Sequence, residues 1–286
     1  MLADADLAAF EAFALELQAA ARDVILPLFR ADHGLEDKGA AKGQGFDPVT
    51  LADRGAEAAI RRLIAQRFPD HGVIGEEYGE DRPDTDHVWV LDPVDGTRAF
   101  IAGIPLWTTL IALRHQNRPV VGAIGQGYLD EVYIGSARGS RLITVGHEQP
   151  LRVRSCPALS EAILGVTDPD PRAYFTPPEA AAFDRLRQAS RLTRLGGDAY
   201  FFALVALGTM DMVVEGGALK AWDVEAAIPL IQGAGGVVSD WRGRPLGQNG
   251  GQVIAAGDAR LRDQAVALLA VNAPHPTLSP KGERGA

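Results

Sequence analysis

Within "WVLDPVDGTRAF", Trp89 to Phe100, an apolar run ends on two carboxylates three residues apart, Asp92 and Asp95. Glu76 closes "GVIGEE" in the same way, and Asp223 opens the apolar segment of "KAWDVEAAIPL". Singly, each has an ordinary explanation. Asp223 suits the first turn of a helix, Glu76 with Glu77 suits a solvated turn, and Asp92-Pro93 suits a turn opening. As a set they are harder to account for, because four ionised carboxylates at a buried site are expensive. Acid pairs with no lysine beside them in sequence suit a hard divalent cation, Mg²⁺ by ligand type. Two such ions cancel the charge of Glu76, Asp92, Asp95 and Asp223, and a third leaves a positive field for a phosphate dianion. In two-metal sites the ions stand roughly 3.5–4 Å apart and clamp the attacking and leaving oxygens. Gly96 permits a tight turn and close backbone approach. Thr97 then begins a short helical turn, "TRAFIAG", whose first N–H groups suit phosphate oxygens.

Those residues need elements to hold them. Leu7, Phe10, Ala14, Leu17, Ala21, Val24 and Leu28 recur at spacings of three and four, one apolar face of a long first helix. "GLEDKGAAKGQGFDP" reads as a mobile loop or loose hairpin. A second helix is expected from about Thr50 to Phe68, with Ala56, Ile60, Leu63 and Ile64 inward. After "FPDHG" the period becomes that of strands: "GVIGEE", "HVWVLDP", "TTLIALRH", "PVVGAIGQGYL", "EVYIGSA" and "SRLITV". The second half restarts with "RVRSC" and "AILGVTDPD". Helices follow at Pro178–Gln188 and Asp198–Leu207, then strand "DMVVEG", helix "VEAAIPLIQGAG" and strand "GVVSDW". The polar "GHEQP" marks the expected boundary. Residues 1–147 form an N-terminal α+β half with the metal and phosphate residues, and residues 148–271 form a C-terminal α/β half. Residues 272–286, with three prolines and no apolar period, are expected to be a disordered tail.

Composition narrows the function. The 286 residues are 47% hydrophobic and 23% charged, a globular balance. A net charge of −9 argues against nucleic acid and anionic membrane as partners. It leaves an anionic substrate open, since bound cations reverse a local field. Cys156 is the single cysteine, so no intrachain disulfide or thiolate cluster forms, and it is expected to be buried. The N-terminus carries acids where a signal peptide carries basic residues. The apolar stretch "AYFFALVALGTMDMVV" is interrupted by Gly208 and Asp211, too short and polar to span a bilayer. A cytoplasmic protein is expected. "GAGG" at Gly233–Gly236 ends a helix and is not a nucleotide fingerprint. The six histidines show no ligand spacing, and Trp89 and Trp241 read as packing residues.

"GEE", "DPVDGT" and "WDVEAA…GAGG" together resemble the inositol monophosphatase-like superfamily of Mg²⁺-dependent sugar and alcohol phosphatases, over about residues 5–271. The resemblance implies a layered αβαβα fold, α+β and α/β in character, usually as a homodimer. It implies metal ligation by Glu76, Asp92, the Val94 carbonyl, Asp95 and Asp223, with two or three Mg²⁺ per site. It matches Lys42, Asp47, Thr50 and Asp53 to the family's mobile-loop and water-activating segment. The implied mechanism is in-line attack by a metal-activated water without a phosphoenzyme. Glu76 and Thr97 position the water, and Asp53 accepts its proton through Thr97. Such chemistry asks for positioning and charge neutralisation more than for a covalent nucleophile.

Within the superfamily the chain is most similar to the histidinol-phosphate phosphatases of histidine biosynthesis. The residues that carry this are "DGTRAFIAGIPLWTTLIAL", with Arg98 where inositol enzymes have Asn, "LGGDAYFFALVALGTMDMVVE" and "LKAWDVEAAIPLIQGAGGVVSDW". Asp95, Gly96, Thr97, Arg98, Gly196, Gly197, Asp198, Glu215 and Asp223 are the implied phosphate and substrate residues, with a small phosphorylated molecule as partner. "EGGALKAWD" is one residue longer than the family spacing, which bears on the placement of Glu215. The competing substrates are inositol phosphate and a nucleotide 3′-phosphate. A regulator that has lost catalysis would lack Thr97, Asp53 or a ligand, and none is replaced.

Overall fold

The computed structural model of the chain describes residues 2–38 and 48–270. Lys42, Asp47 and the 272–286 segment lie outside them. Helix α1 (Asp4–Ile25) buries Leu7, Phe10, Ala14, Leu17 and Ala21, the expected apolar face, and continues into a 3-10 turn at Leu26–Leu28. Strands β1 (Glu36–Asp37) and β2 (Pro48–Val49) pair antiparallel as a short hairpin. Helix α2 (Leu51–Arg67) starts on a capping box: the Ala52 N–H donates to Thr50 Oγ1 at 3.1 Å, and the Thr50 N–H donates to Asp53 Oδ2 at 2.7 Å.

Next come β3 (Gly72–Gly75), β4 (Gly79–Asp81), β5 (His87–Asp95), helix α3 (Thr97–Ile101), β6 (Thr108–His115), β7 (Arg118–Gln126), β8 (Glu131–Ser136), β9 (Gly139–Thr144) and β10 (His147–Pro150). The strands form one eight-stranded sheet in the order β10-β9-β8-β7-β6-β5-β3-β4. "GHEQP" is thus the edge strand of the first sheet, paired to β9, and the sheet runs past the boundary expected at residue 147. An edge strand needs backbone pairing and not an apolar face, so its polar sequence resembles a linker.

"RVRSC" forms no strand. The second half holds β11 (Ile163–Val166), α4 (Pro177–Ala189), β12 (Leu192–Leu195), α5 (Tyr200–Leu207), β13 (Met212–Glu215), α6 (Ala221–Val224), α7 (Ala227–Gly233), β14 (Val237–Ser239), β15 (Val253–Ala256) and α8 (Ala259–Leu269). Its five strands lie in the order β12-β11-β13-β15-β14.

Side-chain alternation builds the layers. Trp89, Leu91, Ile111 and Leu113 pack under α1 and α2. Val88, Val90, Leu110 and Ala112 face the opposite way, against Phe202, Val205, Leu230 and Ile231 of α5 and α7 and against Val213 and Ala255 of the second sheet. Met212, Val214, Ile254 and Ala256 point onward to Phe183, Leu186, Leu261 and Ala265 of α4 and α8. The sequence of layers is αβαβα. No helix among the described residues is long and apolar enough to cross a membrane.

Candidate active site

The β5–β6 ladder shifts register between Asp92, opposite Leu110, and Asp95, opposite Thr108. Such a bulge re-aims side chains at a strand end, and it tolerates Pro93, which has no N–H for the ladder. The Pro93 carbonyl accepts from Thr109 Oγ1 at 2.8 Å, and the Val94 carbonyl accepts from Thr97 Oγ1 at 3.0 Å. Asp92 lies on the face of Val88 and Val90, so it looks toward the middle helix layer. Parallel β3 sets Gly75 beside Leu91, and the Glu76 N–H donates to the Leu91 carbonyl at 3.2 Å, so Glu76 emerges next to Asp92. Asp223 stands in the first turn of α6, where its Oδ2 accepts the Lys220 N–H at 2.6 Å. Its helix-start role is therefore real and coexists with a place in the acidic cluster.

Burial first, and then repulsion from neighbouring acids, Glu76 foremost on Asp92 and Asp198 foremost on Asp95, holds both well above the ordinary carboxylate range. Burial likewise pushes Glu76 to about 7, opposed by Lys38, and Asp223 to about 6. Asp92 Oδ1 is buried with no hydrogen-bond partner, a costly arrangement for a polar atom. An all-oxygen donor set with an orphaned carboxylate oxygen fits a hard divalent cation. Among the described residues no three acidic or imidazole side chains are placed so as to share one ion. Glu76 instead meets Lys38, whose Nζ lies 3.1 Å from its Oε1 and 2.8 Å from Glu77 Oε1. The lysine absent from the local sequence arrives from the hairpin, 38 residues upstream.

Thr97 Oγ1 is 3.4 Å from Asp53 Oδ1, long for an O–H···O bond but within reach of one. Asp53 is buried, and that burial raises its pKa against the opposing hydrogen bonds from Thr50. Gly96 adopts φ 80°, and a Cβ there would stand 3.0 Å from Asp198 Oδ2, so both conformation and space call for glycine. Asp198 has φ 44°, in the left-handed region. It does not cap α5. The Ala199 N–H at that helix start donates instead to Asp95 Oδ2 at 2.7 Å.

Burial pushes the Asp198 carboxyl to about 6, with Arg98 opposing, and pushes Glu215 to about 8. The N–H and hydroxyl of Thr167 donate to Glu215 Oε1 at 2.7 and 2.9 Å. Glu215 stands at the end of β13, where the Asp198 charge adds to the effect of burial. Gly196 is exposed at φ 76°, whereas Gly197 is buried, and a Cβ there would lie 2.0 Å from Phe201. Gly197 thus has a packing reason of its own. Arg98 is exposed and lies over the Tyr174 ring at 4.9 Å.

The family model for the inositol monophosphatase family matches residues 6–272. The chain belongs to that family. It is 38% identical to the bifunctional phosphatase IMPL2 of Arabidopsis thaliana over 94% of this chain and 77% of the relative. It is 36% identical to a histidinol-phosphatase of Chlorobaculum parvum over 77% of this chain and 83% of the relative. Among solved structures, an inositol monophosphatase from Zymomonas mobilis superposes with a TM-score of 0.78 at 40% identity, covering 90% of this chain and 96% of that one.

The chain is accordingly a phosphatase of the inositol monophosphatase family, acting on a small phosphorylated substrate. Several residues outside the sequence motifs surround this cluster. Asp168, on the loop after β11, adds its charge to the effects that raise Asp198 and Glu215. Tyr174, pushed to about 12 chiefly by burial, feels Arg98, Asp198, Asp95 and Asp223. Glu57 of α2 is wholly buried. It shares a helix face with Asp53 one turn away, and two acids at i and i+4 inside an apolar face were a signal available in the sequence.

Proposed function

We propose that the chain is a Mg²⁺-dependent phosphomonoesterase that hydrolyses histidinol phosphate to histidinol and phosphate. Glu76, Asp92, the Val94 carbonyl, Asp95 and Asp223 would hold two or three Mg²⁺ ions. When bound, magnesium neutralises phosphate charge and makes a water more acidic. Glu76 and the Thr97 hydroxyl would orient a water for in-line attack. Thr97 passes a proton to Asp53, whose raised pKa makes it a better base than an ordinary carboxylate. The amides at Gly96 and Thr97 would donate to phosphate oxygens, and Arg98 is exposed beside them.

The substrate reading is supported by one observation above all: Asp198 is a carboxylate left over. It is held at the Gly96 turn in an unfavourable backbone region and spared from capping α5. Histidinol phosphate carries an ammonium and a part-protonated imidazole, for which Asp198 and Glu215 are suited partners. Inositol phosphate presents hydroxyls instead, and the likeness to the Zymomonas mobilis enzyme favours it as the second reading. Phosphate release from histidinol phosphate, inositol 1-phosphate, fructose 1,6-bisphosphate and adenosine 3′,5′-bisphosphate separates them. A clear preference for inositol 1-phosphate would overturn the first. The proposal includes a homodimer, supported by exposed Leu192 and Leu195 on edge strand β12, which light scattering checks.

A further inference from the structure

Glu57 is an acid in the wrong place for a solvated charge. It is fully buried on α2, between Ala56 and Ile60 of the core-facing side. Its Oε2 accepts the Glu77 N–H at 2.8 Å, and its Oε1 accepts the Tyr78 N–H at 3.2 Å and Arg61 Nε at 2.7 Å. Arg61 continues to the Gly79 carbonyl through Nη2. The carboxylate therefore gathers the backbone of the turn that follows Glu76. Gly75, at the end of β3, makes the approach possible, since a Cβ there would stand 2.1 Å from Glu57 Oε1. On the other side, the Glu76 N–H is fixed to the Leu91 carbonyl of β5 at 3.2 Å. Glu76 is thus pinned between a strand and a buried carboxylate. Both oxygens of Glu57 are already engaged by N–H donors and Arg61, which makes it unsuited to bind an ion itself.

We infer that Glu57 is a positioning residue for Glu76. It acts through the Glu77 and Tyr78 amides, and α2 thereby sets both the Asp53 carboxyl and the Glu76 turn from one helix face. Four residues of helix separate Asp53 from Glu57, about 6 Å along the axis, so the proton acceptor and the metal-facing turn are held in one rigid frame. The inference rests on the reading of Glu76 as a magnesium ligand.

Calorimetric titration with Mg²⁺ alone tests it on the full chain. Glu57→Gln keeps the size of the side chain but supplies one acceptor oxygen and cannot form an ion pair with Arg61. It is expected to weaken Mg²⁺ binding about 10–100-fold, the usual range for groups that orient metal ligands. Saturating Mg²⁺ should restore kcat, and KM for substrate at saturating Mg²⁺ should stay unchanged. A folded Glu57→Gln protein with wild-type Mg²⁺ affinity overturns the inference. Hydrogen exchange on the unmodified chain in chelator gives a measurement that does not depend on the variant folding. The Glu77 and Tyr78 amides should be protected, and rapid exchange at both also overturns it. Glu76→Gln separates the two levels. If that change leaves Mg²⁺ affinity intact, the metal role of Glu76 fails. If it weakens binding while Glu57→Gln does not, only the role of Glu57 fails.

Discussion

At the scale of single residues, the Thr97–Asp53 pair and Asp198 divide the chemistry between proton transfer and recognition. Thr97 Oγ1 has two acceptors in reach, the Val94 carbonyl at 3.0 Å and Asp53 Oδ1 at 3.4 Å. A hydroxyl that relays a proton needs both an incoming donor and an outgoing acceptor, and Asp53 is the titratable one of the two. Thr97→Ala should therefore slow turnover on the order of 10²–10⁴-fold while leaving Mg²⁺ affinity nearly intact. Asp53→Asn should cost a similar factor, and the double variant little more, because the pair acts as a unit. Steady-state rates that multiply fully would break the relay. Asp198 belongs to binding. A charge-assisted hydrogen bond contributes roughly 1.5–3 kcal/mol, about ten- to a hundred-fold in specificity. Asp198→Ala should raise KM for histidinol phosphate by that factor and spare an uncharged polyol phosphate. Equal loss on both substrates would remove the support for a cationic leaving group.

At the scale of elements, alternation and apolar spacing made α1, α2 and strands such as "HVWVL" readable, because their side chains meet the core at a fixed period. Several elements escaped, among them β12, β15 and α8, and each for a different reason. "LTRL" (β12) is an edge strand with Leu192 and Leu195 exposed, so no burial pattern marks it. "VIAA" (β15) is buried on both faces and built partly from alanine, which gives no alternation. α8 did carry a signal, Leu261, Ala265 and Leu269 at successive turns. The bulge at Asp92–Asp95 depends on the register of β6, which no local pattern reports. Nor could spacing place Lys38 against Glu76, or show that three of the six histidines, which lack ligand spacing, stack in a row. Strand pairing sets His87 against His115 with ring centroids 4.7 Å apart, and His71 stacks on His87 at 4.7 Å and on Phe68 at 4.5 Å. Trp89 Nε1–H donates to His71 Nδ1 at 3.1 Å, which requires that nitrogen to be unprotonated. Burial, then His87 and Arg82, with Asp70 opposing, lowers the His71 pKa to about 4. The unfolded chain binds the proton near pH 6.5, so between about 6.5 and 4 it holds more protons than the folded one. Stability from His71 is complete above that window and is lost as pH falls through it. His71→Gln keeps an acceptor for Trp89 but does not titrate. Its Tm should fall less between pH 7 and pH 5 than that of the unmodified chain, and equal falls would rule out His71 as the source.

At the scale of the whole molecule, the acidic cluster is assembled across the two sheets. Glu76, Asp92 and Asp95 come from ends of the first sheet, and Asp223 comes from α6 in the second half. The halves are joined beside it by a buried ion pair in which Arg114 Nε of β6 donates to Glu225 Oε2 at 2.7 Å, two residues beyond Asp223. This layered assembly was legible in the motifs only as a resemblance, since no spacing along the chain tells which strand ends meet. It has a thermodynamic consequence. Burial and repulsion oppose the ionised forms of these carboxylates in the metal-free chain, whereas an ion that binds the folded state alone stabilises it by mass action. At a hundred times its Kd that stabilisation is about 2.7 kcal/mol. For a chain of this size about 2–4 °C of Tm accompanies each kcal/mol, so Tm should rise by roughly 5–10 °C in saturating Mg²⁺ and return with chelator. Asp223→Asn removes the one proposed magnesium-ligand carboxylate supplied by the second half. It should relieve repulsion and keep or raise the Tm in chelator, yet shrink the Mg²⁺-dependent rise. Differential scanning fluorimetry with and without Mg²⁺ reads both numbers. A Tm indifferent to Mg²⁺ at any concentration that supports turnover would mean that the ion does not draw on carboxylates from both halves.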